Sequence, residues 1–391
     1  MLFARYLLLL LLSSACHAQP YKKLHRKALV IDTHNDVLSS ATMRGINIEQ
    51  DLTGHTHTDI SRLFKGGVDV QVFSIFCDER YGAGTAFAFA NREIDSLYAI
   101  ILRNNSRLML VTNPSELQSA VRSGRLGCMI GVEGGHMIED NMAYLDSLYK
   151  RGARYLTLTW NNSTSWASSA KDEKAGTVPN PAKGLNELGR QVVRRMNALG
   201  MMVDVSHIGE QTFWDVMAVT TKPVIASHSC AYALCPHPRN LTDEQIRAIG
   251  KNGGVVHLNF YSGFIDSNYM KRKEAFLQRH GAERDSLKLA GQTSYEIDEW
   301  LLKQYPVEAE ALRPSLDQLM DHIDHIVKQI GVNGVGLGSD FDGIESAPKP
   351  LDDVTSFPLI TKELMERGYK KKDIRKILGG NFLRVFKANT N

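Results

Sequence analysis

The sequence predicts an α/β protein with a (β/α)8 barrel of the TIM type, and two observations carry that prediction. Eight short runs rich in Val, Ile, Leu and Met alternate with amphipathic stretches, and five of the eight end in His, Asp or Glu. The runs are Ala28–Asp36, Val68–Phe76, Leu126–Glu133, Arg154–Trp160, Met201–His207, Pro223–His228, Gly253–Phe260 and Val335–Asp340. Near-continuous apolar runs suit strands buried on both faces of a parallel sheet. Eight such strands with crossover helices is the count of this barrel. The main structural rival is a doubly wound open sheet, but no Gly-x-Gly-x-x-Gly or phosphate loop follows the first run.

The first segment reads as an export signal. Arg5 precedes an apolar run from Tyr6 to Leu12; small residues follow, and Ala18 lies just before the polar Gln19-Pro20-Tyr21-Lys22. The run is far shorter than the ~20 residues a bilayer span needs. Cleavage after Ala18 and release is the expectation, leaving residues 19–391 as one catalytic domain in the periplasm or outside the cell. A lipoprotein signal at Cys16 fits less well, because Leu12 lies one position too far upstream. Formal net charge is +3, and loss of Arg5 lowers it by one. That balance gives no electrostatic case for nucleic acid or an anionic membrane. Of five cysteines, Cys77, Cys128, Cys230 and Cys235 lie beyond the signal, without the paired spacing of a zinc ribbon. Cys230 and Cys235 are close enough in sequence for a local disulfide, and buried free thiols are an equal reading.

Between the runs, Leu185, Leu188, Val192, Val193, Met196 and Leu199 recur at helical spacing, and Gly200 ends the segment. Asp140–Lys150 and Thr242–Gly250 read as helices that begin near good N-cap residues. The charged stretch 265–314 reads as a helical insertion between the last two strands. An active-site lid and a solvated surface excursion are both open readings.

The chemistry sits at strand ends: Asp32-Thr33-His34-Asn35-Asp36, Val132-Glu133-Gly134-Gly135, Asp204-Val205-Ser206-His207, Ser227-His228-Ser229 and Gly338-Ser339-Asp340-Phe341-Asp342-Gly343. In a TIM barrel these ends converge on one pocket. Singly, a strand-end histidine is more often structural and an acidic residue more often a cap. Together, three imidazoles and several carboxylates need a partner for their buried charge, and a metal supplies one. Imidazole and carboxylate donors favour zinc, with manganese and cobalt as alternatives. His34 and Asp36, two apart on one strand, share a face and reach one ion. There are more ligands than one tetrahedral zinc uses, which makes a two-metal site attractive.

At these residues, and at Arg239-Asn240, the chain resembles the membrane (renal) dipeptidase family of zinc dipeptidases, from about Ala28 to Ala388. The resemblance implies two zinc ions per subunit and hydrolysis of dipeptides. It makes His34 and Asp36 ligands of the first ion, Glu133 the bridge, and His207 and His228 ligands of the second. Asp340 resembles the catalytic acid/base and Arg239 the clamp on the substrate carboxylate. Paired cations lower the pKa of a shared water toward ~7, and an arginine fork suits a free carboxylate. One departure stands out: Trp160 occupies a position where the family often has a substrate-holding histidine, and an indole donates one N–H without relaying a proton. Asn161 and Asn162 are substitute donors. Relatives suggest a homodimer. The polar end Phe386-Lys387-Ala388-Asn389-Thr390-Asn391 argues against the lipid (GPI) anchor of some relatives.

Two other readings compete. Barrel amidohydrolases acting on other amides often bridge their metals with a lysine at the fourth strand end, where this chain has Trp160. A non-catalytic exported binder of metal or peptide would have no use for Asp340 as a proton shuttle.

Overall fold

Eight parallel strands form from the apolar runs and a ninth, β3, from a segment outside them: β1 (Ile31–Asp32), β2 (Val70–Ile75), β3 (Leu108–Leu110), β4 (Leu126–Glu133), β5 (Ala153–Thr157), β6 (Met202–Asp204), β7 (Ile225–Ala226), β8 (Val255–Leu258) and β9 (Val335–Leu337). The computed structural model describes residues 19–82, 84–179 and 183–390, so the expected signal at 1–18, with Cys16, lies outside the described residues. The sheet order is β1-β2-β4-β5-β6-β7-β8-β9, with β3 pairing on β4 outside this path. The ring closes where Asn35 bridges Phe341 and the Asp340 N–H donates to the His34 carbonyl at 3.1 Å. This is the (β/α)8 barrel, and an open doubly wound sheet is ruled out. Except for β4, which fills its run, each barrel strand is shorter than its apolar run, and β3 has only three residues, too few for a periodic signal.

Helices start and stop where their caps dictate. Asn186 caps Glu187–Leu199 by accepting the Gly189 N–H, and Gly200 ends it at φ 83°. Asn141 caps Met142–Lys150, and Thr242 with Gln245 forms a capping box on Asp243–Asn252. Among the described residues, no helix is long and apolar enough to cross a membrane.

The insertion between β8 and β9 folds into five helices, from Ser262–Ile265 to Pro306–Leu312. It has its own small core of Tyr269, Phe276, Ile297, Leu301, Leu302 and Leu312. Lys273, buried within it, pairs with Asp298 at 2.6 Å and with Glu345 on the loop after β9. A buried cation held by two carboxylates fastens the insertion to the barrel mouth.

Cys230 and Cys235 are buried free thiols, donating to the carbonyls of Asn259 at 3.2 Å and Gly263 at 3.4 Å. Both lie near the loop that carries Arg239, and His322 supports the same loop. Its Nδ1 accepts the Ala231 N–H at 3.1 Å, while Nε2 donates to the Ile265 carbonyl at 3.0 Å. A protonated ring loses the acceptor, and burial lowers its pKa to about 4. The unfolded chain takes up this proton near 6.5 and the folded chain only near 4, so stability falls as pH drops through that window. The loss is about 3 kcal/mol when complete, at 1.36 kcal/mol per pKa unit. His322→Gln keeps a donor and an acceptor without the titration. Denaturant unfolding from pH 7 to 4 is expected to show a shallower acid decline in this variant than in the wild type.

Candidate metal centre

The five motifs meet at the C-terminal mouth of the barrel, around Glu133 at the end of β4. Its two oxygens face different partners. Oε2 lies 3.5 Å from His34 Nε2, whereas Oε1 lies 2.9 Å from His207 Nε2 and 3.4 Å from His228 Nε2. On the Oε2 side, His34 Nε2 is also 3.4 Å from Asp36 Oδ2 and 3.9 Å from Asp340 Oδ1. Two groups of ligand atoms therefore form, one of His34, Glu133 and His228 and one of His34, Asp36 and Asp340, each within 4.8 Å. His207 joins the first through His228, with the two Nε2 atoms 2.9 Å apart. All five expected ligands come together, and Asp340 lies among them.

Hydrogen bonds beneath the site fix which imidazole nitrogens are free. The Tyr155 hydroxyl donates to the Thr33 carbonyl at 3.0 Å, so it accepts from His34 Nδ1–H at 2.9 Å. Ser227 Oγ donates to Asp204 Oδ2 at 2.6 Å and thus accepts from His228 Nδ1–H at 2.8 Å. In both rings Nε2 is left with a lone pair aimed at carboxylate oxygens. His34 Nε2 is buried without a hydrogen-bond partner, as is Asp36 Oδ1. Lone pairs facing one another in a buried site repel unless a cation lies between them, so the donor set fits metal.

Electrostatics agree. Burial alone would raise the pKa of Glu133, but the surrounding imidazoles of His34, His207 and His228 hold it well below the ordinary value. Burial opposes charge on His34, yet Tyr155, Glu133 and Asp36 pull its pKa well up, so the surroundings favour positive charge at this ring. The backbone is strained at two of these residues, with φ 65° at His207 and φ 61° at Asp340. A Cβ at Gly343 would press on the carboxylates of Asp36 and Asp340, so a larger residue there would displace both.

A cavity of about 650 Å³ opens above the cluster. Arg239, Trp160 and Asn161 all line it, and Thr293, Tyr295 and Glu296 of the insertion line it too, which favours the lid reading. Trp160 packs on Phe76, with ring centroids 4.9 Å apart. The Arg239 guanidinium lies over the Phe264 ring at 5.4 Å and donates from Nη2 to the His228 carbonyl at 3.3 Å. Burial lowers its pKa to about 10, so it is cationic at neutral pH. Cys77 also reaches the wall, but burial pushes its thiol up to about 12.

The sequence left Tyr155, Asp204, Ser227 and Asn259 without roles. Asp204 accepts from Thr157 Oγ1 at 2.5 Å and from the N–H groups of Ser206 at 3.1 Å and Ser227 at 2.8 Å, tying three strands together beneath the imidazoles. The one sequence signal was its position three residues before His207.

Fold and donor set together define a metal-dependent barrel hydrolase. The model of the membrane dipeptidase family, peptidase family M19, matches residues 18–391, and the chain belongs to that family of metallo-dipeptidases, hydrolases of peptide bonds. An uncharacterized dipeptidase of Schizosaccharomyces pombe is 32% identical over 94% of this chain and 82% of its own length. Dipeptidase 3 of Macaca fascicularis is 32% identical over 92% of this chain, which spans 64% of that protein. The solved structure of the metallopeptidase dipeptidase AC, of family M19, superposes with a TM-score of 0.75 at 25% identity, covering 93% of this chain and 98% of its own.

Tyr155→Phe removes the acceptor that sets the His34 tautomer while keeping the ring. Its metal affinity is expected to fall about 10–100-fold with the fold intact. Chelator competition with circular dichroism checks this, and unchanged affinity would remove Tyr155 from the role.

Proposed function

We propose that the chain is an exported dipeptidase working with two zinc ions, held by His34 and Asp36 on one side of Glu133 and by His207 and His228 on the other. The observation that carries the reading is the division of the Glu133 oxygens between two sets of imidazoles. Donors of nitrogen and oxygen without thiolate suit zinc. Bound zinc would supply Lewis acidity toward the peptide carbonyl and activation of water near neutral pH.

The remaining work falls to side chains of this chain. Asp340 Oδ2 accepts the Asn259 amide N–H at 2.8 Å, which leaves Oδ1 to take a proton from water and return it to the departing amine. Burial pushes its pKa well up; the charge of His34 opposes this, while Asp36 and Glu133 add to it, so a proton is readily held there. Arg239, fixed through Nη2, has a buried Nε without a partner and offers a fork for the C-terminal carboxylate of a dipeptide. Trp160 forms an aromatic wall against Phe76 and, with Asn161, borders the substrate in place of a proton-carrying imidazole. Export after cleavage behind Ala18, and pairing into a homodimer, complete the reading.

Asp340→Asn is expected to abolish turnover of a dipeptide panel, by at least ~10²-fold, with metal content by elemental analysis near normal; loss of both would make Asp340 a ligand. Arg239→Ala is expected to raise KM for dipeptides with a free C-terminus far more than it lowers kcat. Equal wild-type rates on C-terminally amidated dipeptides would refute the clamp. Bound zinc without turnover of any dipeptide would return the chain to the class of binders.

A further inference from the structure

Outside the groups assigned to metal and proton transfer, most charge in the cavity wall is already paired. Arg80 lies 3.5 Å from Asp78, and Arg44 lies 3.5 Å from Glu296. Glu345 holds Lys273 and accepts the Tyr261 hydroxyl at 2.9 Å. Apart from the ligand candidates, two charged wall residues keep a buried polar atom without a hydrogen-bond partner among the described residues: Arg239 at Nε and Asp342 at Oδ2.

These two are of opposite sign and sit on different sides of the mouth. Arg239 follows β7, on the side of His207 and His228. Asp342 follows β9, on the side of His34 and Asp36, next to Gly343, whose position adjoins the Asp36 carboxylate. Asp342 is 6% exposed and stands in the left-handed region at φ 67°. Its Oδ1 accepts the His57 N–H at 2.7 Å, and its own N–H donates to His57 Nδ1 at 3.1 Å. The His57 ring stacks on Phe341 at 5.1 Å. One carboxylate oxygen is thus anchored and the other left over, in a residue strained to stand there.

We propose that Asp342 receives the free α-ammonium group of the substrate, so that the cavity reads both ends of a dipeptide zwitterion, Arg239 the carboxylate and Asp342 the amine. The inference rests on the dipeptidase reading and deepens it. Two extended residues span at most about 7 Å, so a substrate that meets both charged groups at once is selected by its length as well as by its ends. A buried carboxylate oxygen without a partner is costly, and an ammonium group is the natural complement. Tyr295, brought in by the insertion, lines the same cavity and remains a neutral donor, because burial and carboxylates that include Asp342 and Asp36 push its pKa well up. It closes this end without supplying a rival cation.

The test compares zinc-loaded wild type and Asp342→Asn on alanyl-alanine and on propanoyl-alanine, which lacks only the amine. The wild type is expected to prefer alanyl-alanine by at least ~100-fold in kcat/KM, since a site built to bind an N–H group rejects the analogue without it. In Asp342→Asn that ratio is expected to shrink at least ~10-fold, chiefly through a higher KM for alanyl-alanine. An unchanged ratio overturns the assignment. Should the variant lose its zinc, the wild type decides alone: equal kcat/KM on both compounds overturns it. No turnover of any dipeptide by zinc-loaded wild type would sink the dipeptidase reading instead, and this inference with it.

Discussion

Everything at the mouth of this barrel depends on one carboxylate serving two sides at once. Glu133 ends β4, the longest strand of the barrel at eight residues, and its oxygens lie between 2.9 and 3.5 Å from three imidazoles that arrive on β1, β6 and β7. Such convergence is available only where parallel strands end on a common rim. A shift of any strand by one residue would turn its imidazole away, because side chains alternate faces.

The rim is held by a polar layer one level down, inside the barrel. Gly131 is the position on β4 where a Cβ would collide with the Tyr155 ring, and that ring reaches the barrel axis to meet His34. The register between β4 and β5 shifts at the same place, between Ile130 and Gly131. On the opposite side Asp204 and Ser227 do for His228 what Tyr155 does for His34. Buried polar groups like these are costly unless each finds a partner, and a satisfied network fixes a single arrangement. One level higher, His34 Nε2 and Asp36 Oδ1 are buried without a partner, where the chemistry of the donor set calls for cations. Backbone strain gathers at the rim as well, where His207, Asp340 and Asp342 stand in the left-handed region.

The barrel and its candidate ligands were legible in the sequence because both leave local marks. A buried parallel strand is an unbroken apolar run, and a ligand at its end is a histidine or carboxylate just where the run stops; His34, Glu133, His207 and His228 all fit that description. Tyr155 does not, since it lies inside a run where an aromatic residue reads as core. Asn259 looks like a strand end and nothing more until the fold brings it 2.8 Å from Asp340. Asp204 was visible but unassigned, because its partners Thr157 and Ser227 come from neighbouring strands and only pairing reveals them. The insertion was legible as helical and charged, but nothing local distinguishes a lid from an excursion. That distinction needed Thr293, Tyr295 and Glu296 to be found in the cavity wall.

The insertion also changes what the barrel can select. A bare barrel mouth would leave the candidate ligands and Arg239 open on one side. Here the Lys273 clasp to Glu345 brings the insertion against the loop after β9, and Glu345 in turn takes the Tyr261 hydroxyl from the loop after β8. One buried cation thus couples the roof of the cavity to the wall that carries Asp340 and Asp342. Because a partly broken ion cluster leaves a charge buried and unpaired, the roof has reason to sit in one place rather than drift. A cavity of about 650 Å³ under such a roof has the size of a site that encloses a small ligand.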